Sequence, residues 1–180
     1  MIRLFAIVFA ALTATAGWGQ LLRFDSLERL GAKASETVNV TLDADLLHLA
    51  ARFLSDEGDE DTVEIKKLVS GLRGISIRSF EFKNAGEYND GDIESIRSQL
   101  KDSSWKRIVE TRSKTEGNSD VYLKTTSGGK ISGLAIIAAE PKEFTVISID
   151  GSINPEDLGK LSGNFGIPKS LRRKIEVKVK

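Results

Sequence analysis

Apolar residues follow two different periods along this chain, and the period changes near Trp105. Leu21, Phe24, Leu27 and Leu30 recur every third position with charges between them, which predicts a short amphipathic helix over 20–34. The alternating, β-branched run Thr37-Val38-Asn39-Val40-Thr41-Leu42 predicts a strand. Asp43 then stands where a helix N-cap belongs, and Leu46, Leu49, Ala50 and Phe53 fall on one helical face. After a polar break around Asp56–Asp59, Ile65, Leu68, Val69 and Leu72 repeat the helical spacing, with Gly74 as the expected C-cap. Ile75 to Lys83 read as a strand whose apolar positions change phase, Ile75 and Ile77 odd, Phe80 and Phe82 even. A bulge near Arg78-Ser79 would reconcile them. Asn84–Asn89 form a turn, and Asp90 or Asp92 opens a helix carrying Ile93, Ile96 and Leu100.

Beyond Trp105 the period is two, which predicts strands over about 105–114, 119–126, 130–139 and 143–150. Glu116-Gly117-Asn118 and Ser127-Gly128-Gly129 supply hairpin turns. Ile131 to Ala139 is apolar on both faces and should be a central strand covered twice. Asn154-Pro155-Glu156-Asp157 has the cap, proline and acids of a helix start, and Gly163 and Gly166 end that helix. Ile175, Val177 and Val179 alternate with charged residues, so the tail is a candidate late strand. Sequential strands with short turns and flanking helices make the fold class α+β, an antiparallel meander sheet of about five strands.

The first residues change the picture from a cytoplasmic domain to an exported one. Arg3 precedes the apolar run Leu4–Leu12, and Ala14 and Ala16 have the small-residue spacing that a signal peptidase reads. The run is shorter than the ~20 residues that span a bilayer. Residues 1–16 are therefore expected to be a signal peptide, with cleavage after Ala16 or, as second choice, Gly19. Residues 20–168 form a single domain in this reading, and 169–180 a basic tail. The chain has no cysteine, which excludes disulfides, thiolate metal sites, thiol nucleophiles and a lipid anchor on cysteine. The expected location is periplasmic or secreted, soluble and not lipid-anchored, with no transmembrane segment in the mature chain.

Charge adds one feature. The chain has 26 basic and 26 acidic residues, so it is no global nucleic-acid binder. The charges are uneven: Asp56, Glu57, Asp59, Glu60, Asp61 and Glu64 form an acidic stretch. Lys169, Arg172, Arg173, Lys174, Lys178 and Lys180 form the basic tail. Of these, Lys169, Arg172, Arg173 and Lys174 are the candidate contact for an envelope protein or an anionic surface.

Several strings of residues look alike when read together with a known family. They are Leu27–Ala34, Val40–Asp43, Gly71–Ile75 with Arg78–Phe82, Gly129–Glu143, and Asn164-Phe165-Gly166-Ile167-Pro168. Together they resemble the exported bacterial domain of unknown function family 4252, over about residues 27–168. The resemblance implies an exported domain and carries over no catalytic or binding residue. Some members of that family look like lipoproteins; this chain departs from them in lacking the lipid-accepting cysteine.

The search for catalytic chemistry returns weak signals. His48 is the only histidine and falls with Asp45, Arg52 and Ser55 on its helix, as a surface histidine does. A histidine zinc site or a Ser-His-Asp triad lacks the other parts. Ser127-Gly128-Gly129-Lys130 fails the phosphate-loop pattern, with Lys124 and Ile131 at required positions. Asn89–Glu94 fails as a calcium loop and reads as helix capping. The acidic stretch reads as a solvated loop leading into a helix, with loose divalent-cation binding as its other reading. No cofactor and no catalytic or metal residue is expected. The leading functional reading is a non-catalytic binding or regulatory module of the cell envelope. The alternatives are a small-ligand carrier with an apolar pocket between sheet and helices, and an enzyme using carboxylates, Lys or Ser only.

Overall fold

The computed structural model describes residues 22–53 and 60–154. Six strands form one antiparallel sheet: β1 (Glu36–Asp43), β2 (Leu72–Glu81), β3 (Trp105–Ser113), β4 (Gly117–Thr125), β5 (Ile131–Glu140) and β6 (Glu143–Gly151). The order across it is β1-β2-β6-β5-β4-β3. Thus β3 to β6 form the expected meander, while β2 pairs with the last strand, β6, and carries β1 outward. The sheet has six strands where about five were expected. The α+β class stands, with α1 (Glu28–Gly31, after a 3-10 turn at Asp25–Leu27), α2 (Ala44–Phe53), α3 (Glu60–Ser70) and α4 (Asp90–Arg97).

Each face of the sheet has its own core. On the first face α2 and α3 bring Leu47, Ala51, Leu68 and Val69 against Leu72, Ile75, Leu134, Ile136, Ile147 and Ile149. On the second, Leu27, Leu30, Ile93, Ile96 and Leu100 pack on Phe80, Phe82, Ile137, Phe144 and Val146. Burying one such side chain fully contributes about 1.5–3 kcal/mol. The phase change in β2 follows from these two cores. Ile75 and Ile77 belong to the first face, Phe80 and Phe82 to the second. Pairing runs without interruption from Ile75 to Glu81 on both neighbours, so there is no bulge at Arg78-Ser79. The irregularity in β2 lies instead between Leu72 and Gly74.

Three further expectations are corrected. The first helix is a turn of 3-10 helix and one of α-helix rather than a helix over 20–34. Gly74 lies inside β2; α3 ends at Ser70, and Gly71 follows, its N–H bonded to Leu68 O at 3.0 Å. On α2 the stripe facing the sheet is Leu47 and Ala51, while Leu46 and Leu49 are exposed. That helix is apolar on several sides, so its period did not select a stripe. Its rotation is set by β1, which runs into it without a loop, Asp43 Oδ1 accepting from Leu46 N at 2.9 Å.

The remaining turns match their chemistry. Gly117 and Gly129 have φ of +88° and +75°, the left-handed conformation that glycine takes without strain. β5 is buried along most of its length beside β6, as its two apolar faces required. The predicted signal peptide, the helix from Asn154 onward and the tail strand lie outside the described residues, apart from Asn154 itself.

Candidate functional site

Among the described residues the densest polar constellation sits on the second face, where the last turn of α4 meets β4 beside the edge strand β3. α4 is set by a capping box. Asn89 Oδ1 accepts from Gly91 N and Asp92 N, and Asp92 Oδ2 accepts from Asn89 N at 2.8 Å. The buried Asp92 carboxylate is also held by Arg29. The last turn of α4 then delivers Arg97 to Asp120 on β4. Arg97 Nε and Nη2 donate to Asp120 Oδ2 at 2.8 and 2.5 Å.

Asp120 is wholly buried, with its side chain 0% exposed. Its cross-strand partner is Glu110, and two opposed carboxylates repel. Two edge-strand arginines separate them. Arg112 places Nη1 2.9 Å from Asp120 Oδ1 and Nη2 2.6 Å from Glu110 Oε1. Arg107 reaches Glu110 Oε2 at 2.9 Å and Asp120 Oδ1 at 3.6 Å. Asp120 Oδ1 makes no aligned hydrogen bond, so its compensation is coulombic. A register shift between Arg107 and Val109 brings Arg107, Glu110 and Arg112 to one face and turns Ile108 outward, half exposed.

Three guanidiniums thus surround two carboxylates, leaving one positive charge in surplus. The Arg107 and Arg112 side chains remain 40% and 39% exposed. Planar guanidiniums offer paired donors that suit a carboxylate or phosphate. The corner is therefore equipped to meet an anionic group at a sheet edge.

Other polar groups have structural roles. Arg73 grips Asp150 through two 2.8 Å hydrogen bonds, which raise its pKa. On the first face, Ser79 Oγ and Thr145 Oγ1 lie 2.6 Å apart and both reach Glu143 Oε1. Tyr88 stacks on Phe144 and donates to the Glu140 carbonyl; burial, then the carboxylates of Glu140, Asp90 and Glu143, push its phenol up to about 12. Lys101 and Ser104 hydrogen bonds lower the exposed carboxyls of Glu94 and Asp102 respectively.

The candidate contact residues Lys169, Arg172, Arg173 and Lys174 lie outside the described residues, as does Asp56–Asp59 of the acidic stretch. His48 is exposed on α2. Asn89–Asp92 cap α4, and Ser127–Lys130 form the β4–β5 turn, as their sequences suggested. Sequence reading missed Arg97, Arg107, Glu110, Arg112 and Asp120. One signal was present: Asp120 stands beside Val121-Tyr122-Leu123, and a carboxylate in a strand that buried demands a cationic partner.

The fold and this corner define an antiparallel α+β domain covered by helices on both faces. The chain belongs to the family described as Domain of unknown function (DUF4252), whose model matches residues 31–161 and so takes in all six strands. No curated protein and no solved structure matches it. Among the described residues no helix is long and apolar enough to cross a membrane.

Proposed function

We propose that this chain is a non-catalytic binding or regulatory module of the bacterial cell envelope, exported by residues 1–16, and that it takes an anionic partner on the arginine corner. The observation that carries the reading is the surplus positive charge held rigidly at a sheet edge, with Arg107 and Arg112 open to solvent. Fixed guanidiniums lose little freedom on binding, which favours recognition over a loose charge contact. Lys169, Arg172, Arg173 and Lys174 supply a second contact for the same class of partner. The export signal supports the envelope assignment.

A photo-crosslinking residue at Ile108, in mature protein added to an envelope fraction, tests the site. The expected result is one crosslinked partner that weakens several-fold in Arg107→Gln and at raised salt, because added salt shortens the screening length from about 8 Å at physiological ionic strength to about 3 Å at 1 M. A crosslinker at exposed Val63 should not capture it. Equal capture at both positions, or capture indifferent to Arg107→Gln, overturns the reading.

A further inference from the structure

The two outer strands of the sheet are unlike. β3 is interrupted by its register shift and lined by arginines, devices that discourage pairing with another strand. β1 has neither. Its eight residues pair with β2 in unbroken register and include no proline, lysine or arginine. Its outer backbone groups form an unguarded template, and the side chains beside them are largely exposed. On the first face it presents Val38, Val40 and Leu42 in line with Ile77 and Ile75, and Val38 is 43% exposed.

We propose that residues 174–179 of the same chain add to β1 as a seventh, antiparallel strand. The register is Lys174 with Asp43, Ile175 with Leu42, Val177 with Val40, and Val179 with Val38. It is independent of the arginine corner; with Lys174 paired to Asp43, the tail's contact with a partner is left to Lys169, Arg172 and Arg173.

Position, pattern and charge agree on this occupant. β6 ends at Gly151 opposite Leu72, and Asp43 pairs with Gly74, so the chain leaves the described fold at the Asp43 end of β1. A segment arriving there and continuing along β1 runs antiparallel to it. The outer side of β1 lies three strand spacings from β6, roughly 15 Å. Residues 155–173 cover that distance several times over at ~3.3 Å each. Ile175, Val177 and Val179 alternate with Glu176, Lys178 and Lys180, so one side of the strand is apolar and the other charged. In this register the apolar side extends the Val38-Val40-Leu42 row and covers it. Lys174 meets Asp43, and Glu176 falls beside Thr41, whose hydroxyl already accepts from Arg78 Nη2 at 3.0 Å. The Arg78 guanidinium is then within reach of Glu176. A slip of one residue would place the three apolar side chains against Thr37, Asn39 and Thr41 and turn the lysines onto the apolar row.

The absence of cysteine makes the test direct. Val40→Cys with Val177→Cys, and Val38→Cys with Val179→Cys, should each close an intramolecular disulfide under mild oxidation. Directly opposed Cα atoms lie ~4.5–5.5 Å apart, inside the range a disulfide accepts. The slipped pair Val40→Cys with Lys178→Cys should not close. Hydrogen exchange provides the second readout in the full-length chain. Lys178→Pro removes the backbone donor that this register directs at Asn39, and should accelerate exchange of the outward-facing β1 amides of Asn39 and Thr41 about tenfold while β4 and β5 keep their protection. Closure of all pairs alike, disulfides only between two copies, or exchange of Asn39 and Thr41 unchanged by Lys178→Pro each overturns the proposal.

Discussion

The two faces of the sheet are built on different principles. Among the described residues the hydrophobic core of the first face is wholly aliphatic: Leu, Ile, Val and Ala side chains from α2 and α3 meet those of the sheet. The second gathers the aromatics Phe24, Phe80, Phe82, Tyr88, Trp105, Tyr122 and Phe144, and buries the side chains of two carboxylates, Asp92 and Asp120, completely. Helix α4 is clamped there by charge as well as by apolar contact, through Arg97–Asp120 and through Asp92, which Arg29 holds. The first face should therefore respond mainly to lost volume, and the second to lost charge compensation.

The largest effect should come from Asp120→Ala, which leaves three arginines around Glu110 alone. Removing one partner of a buried ion pair costs about 3 kcal/mol or more. Urea unfolding should show that loss, whereas Ile136→Val on the first face should cost about 1 kcal/mol. An Asp120→Ala protein as stable as its parent would erase the distinction between the faces. Next come the matched truncations Leu30→Ala and Leu68→Ala, about 3 and 2 kcal/mol, the fully buried Leu30 costing more. Asn89→Ala removes the cap of α4 and should cost about 1 kcal/mol. Loss of the same size at the exposed Asn39 on β1 would show that the cap is not the cause. Arg107→Gln, at the open rim of the network, should cost about 0.5 kcal/mol or less while still weakening capture of an anionic partner.

The smallest effect sharpens the contrast at high pH. Tyr88 and Tyr122 are the chain's two tyrosines, and Tyr88 should form tyrosinate only near pH 12. An ultraviolet titration of the Tyr122→Phe protein follows Tyr88 alone. The unfolded chain ionises this phenol near 10 and the folded chain near 12. The Tyr88 contribution is therefore intact below pH 10 and lost as pH rises through 12. A single tyrosinate step near pH 10 would remove Tyr88 from the packed second face.

Much of the fold was legible because its cues are local. The hairpin turns at Gly117 and Gly129, the alternation from Trp105 onward and the acids around Asn89 each act within a few residues. The stripe on α2 was misread because Leu46, Leu47, Leu49, Ala50 and Ala51 leave several rotations apolar. The phase change in β2 was visible, yet its cause was not, since a strand with one core needs a bulge and a strand between two cores does not. The arginine corner escaped because its members lie on three separate elements and only one, Asp120, was out of place for its surroundings.

By itself, then, the sequence determined the strands, their turns, the start of α4, the centrality of β5 and the family. Those follow from backbone conformation and side-chain period, which a residue and its near neighbours settle. Only the tertiary structure decided that β2 pairs with β6, that the sheet carries two cores, and that Arg97, Arg107 and Arg112 meet on Asp120. These outcomes depend on contacts between segments far apart in the chain. Burial on both faces, and the cost of leaving a buried carboxylate without a cation, select among the arrangements that local preference allows.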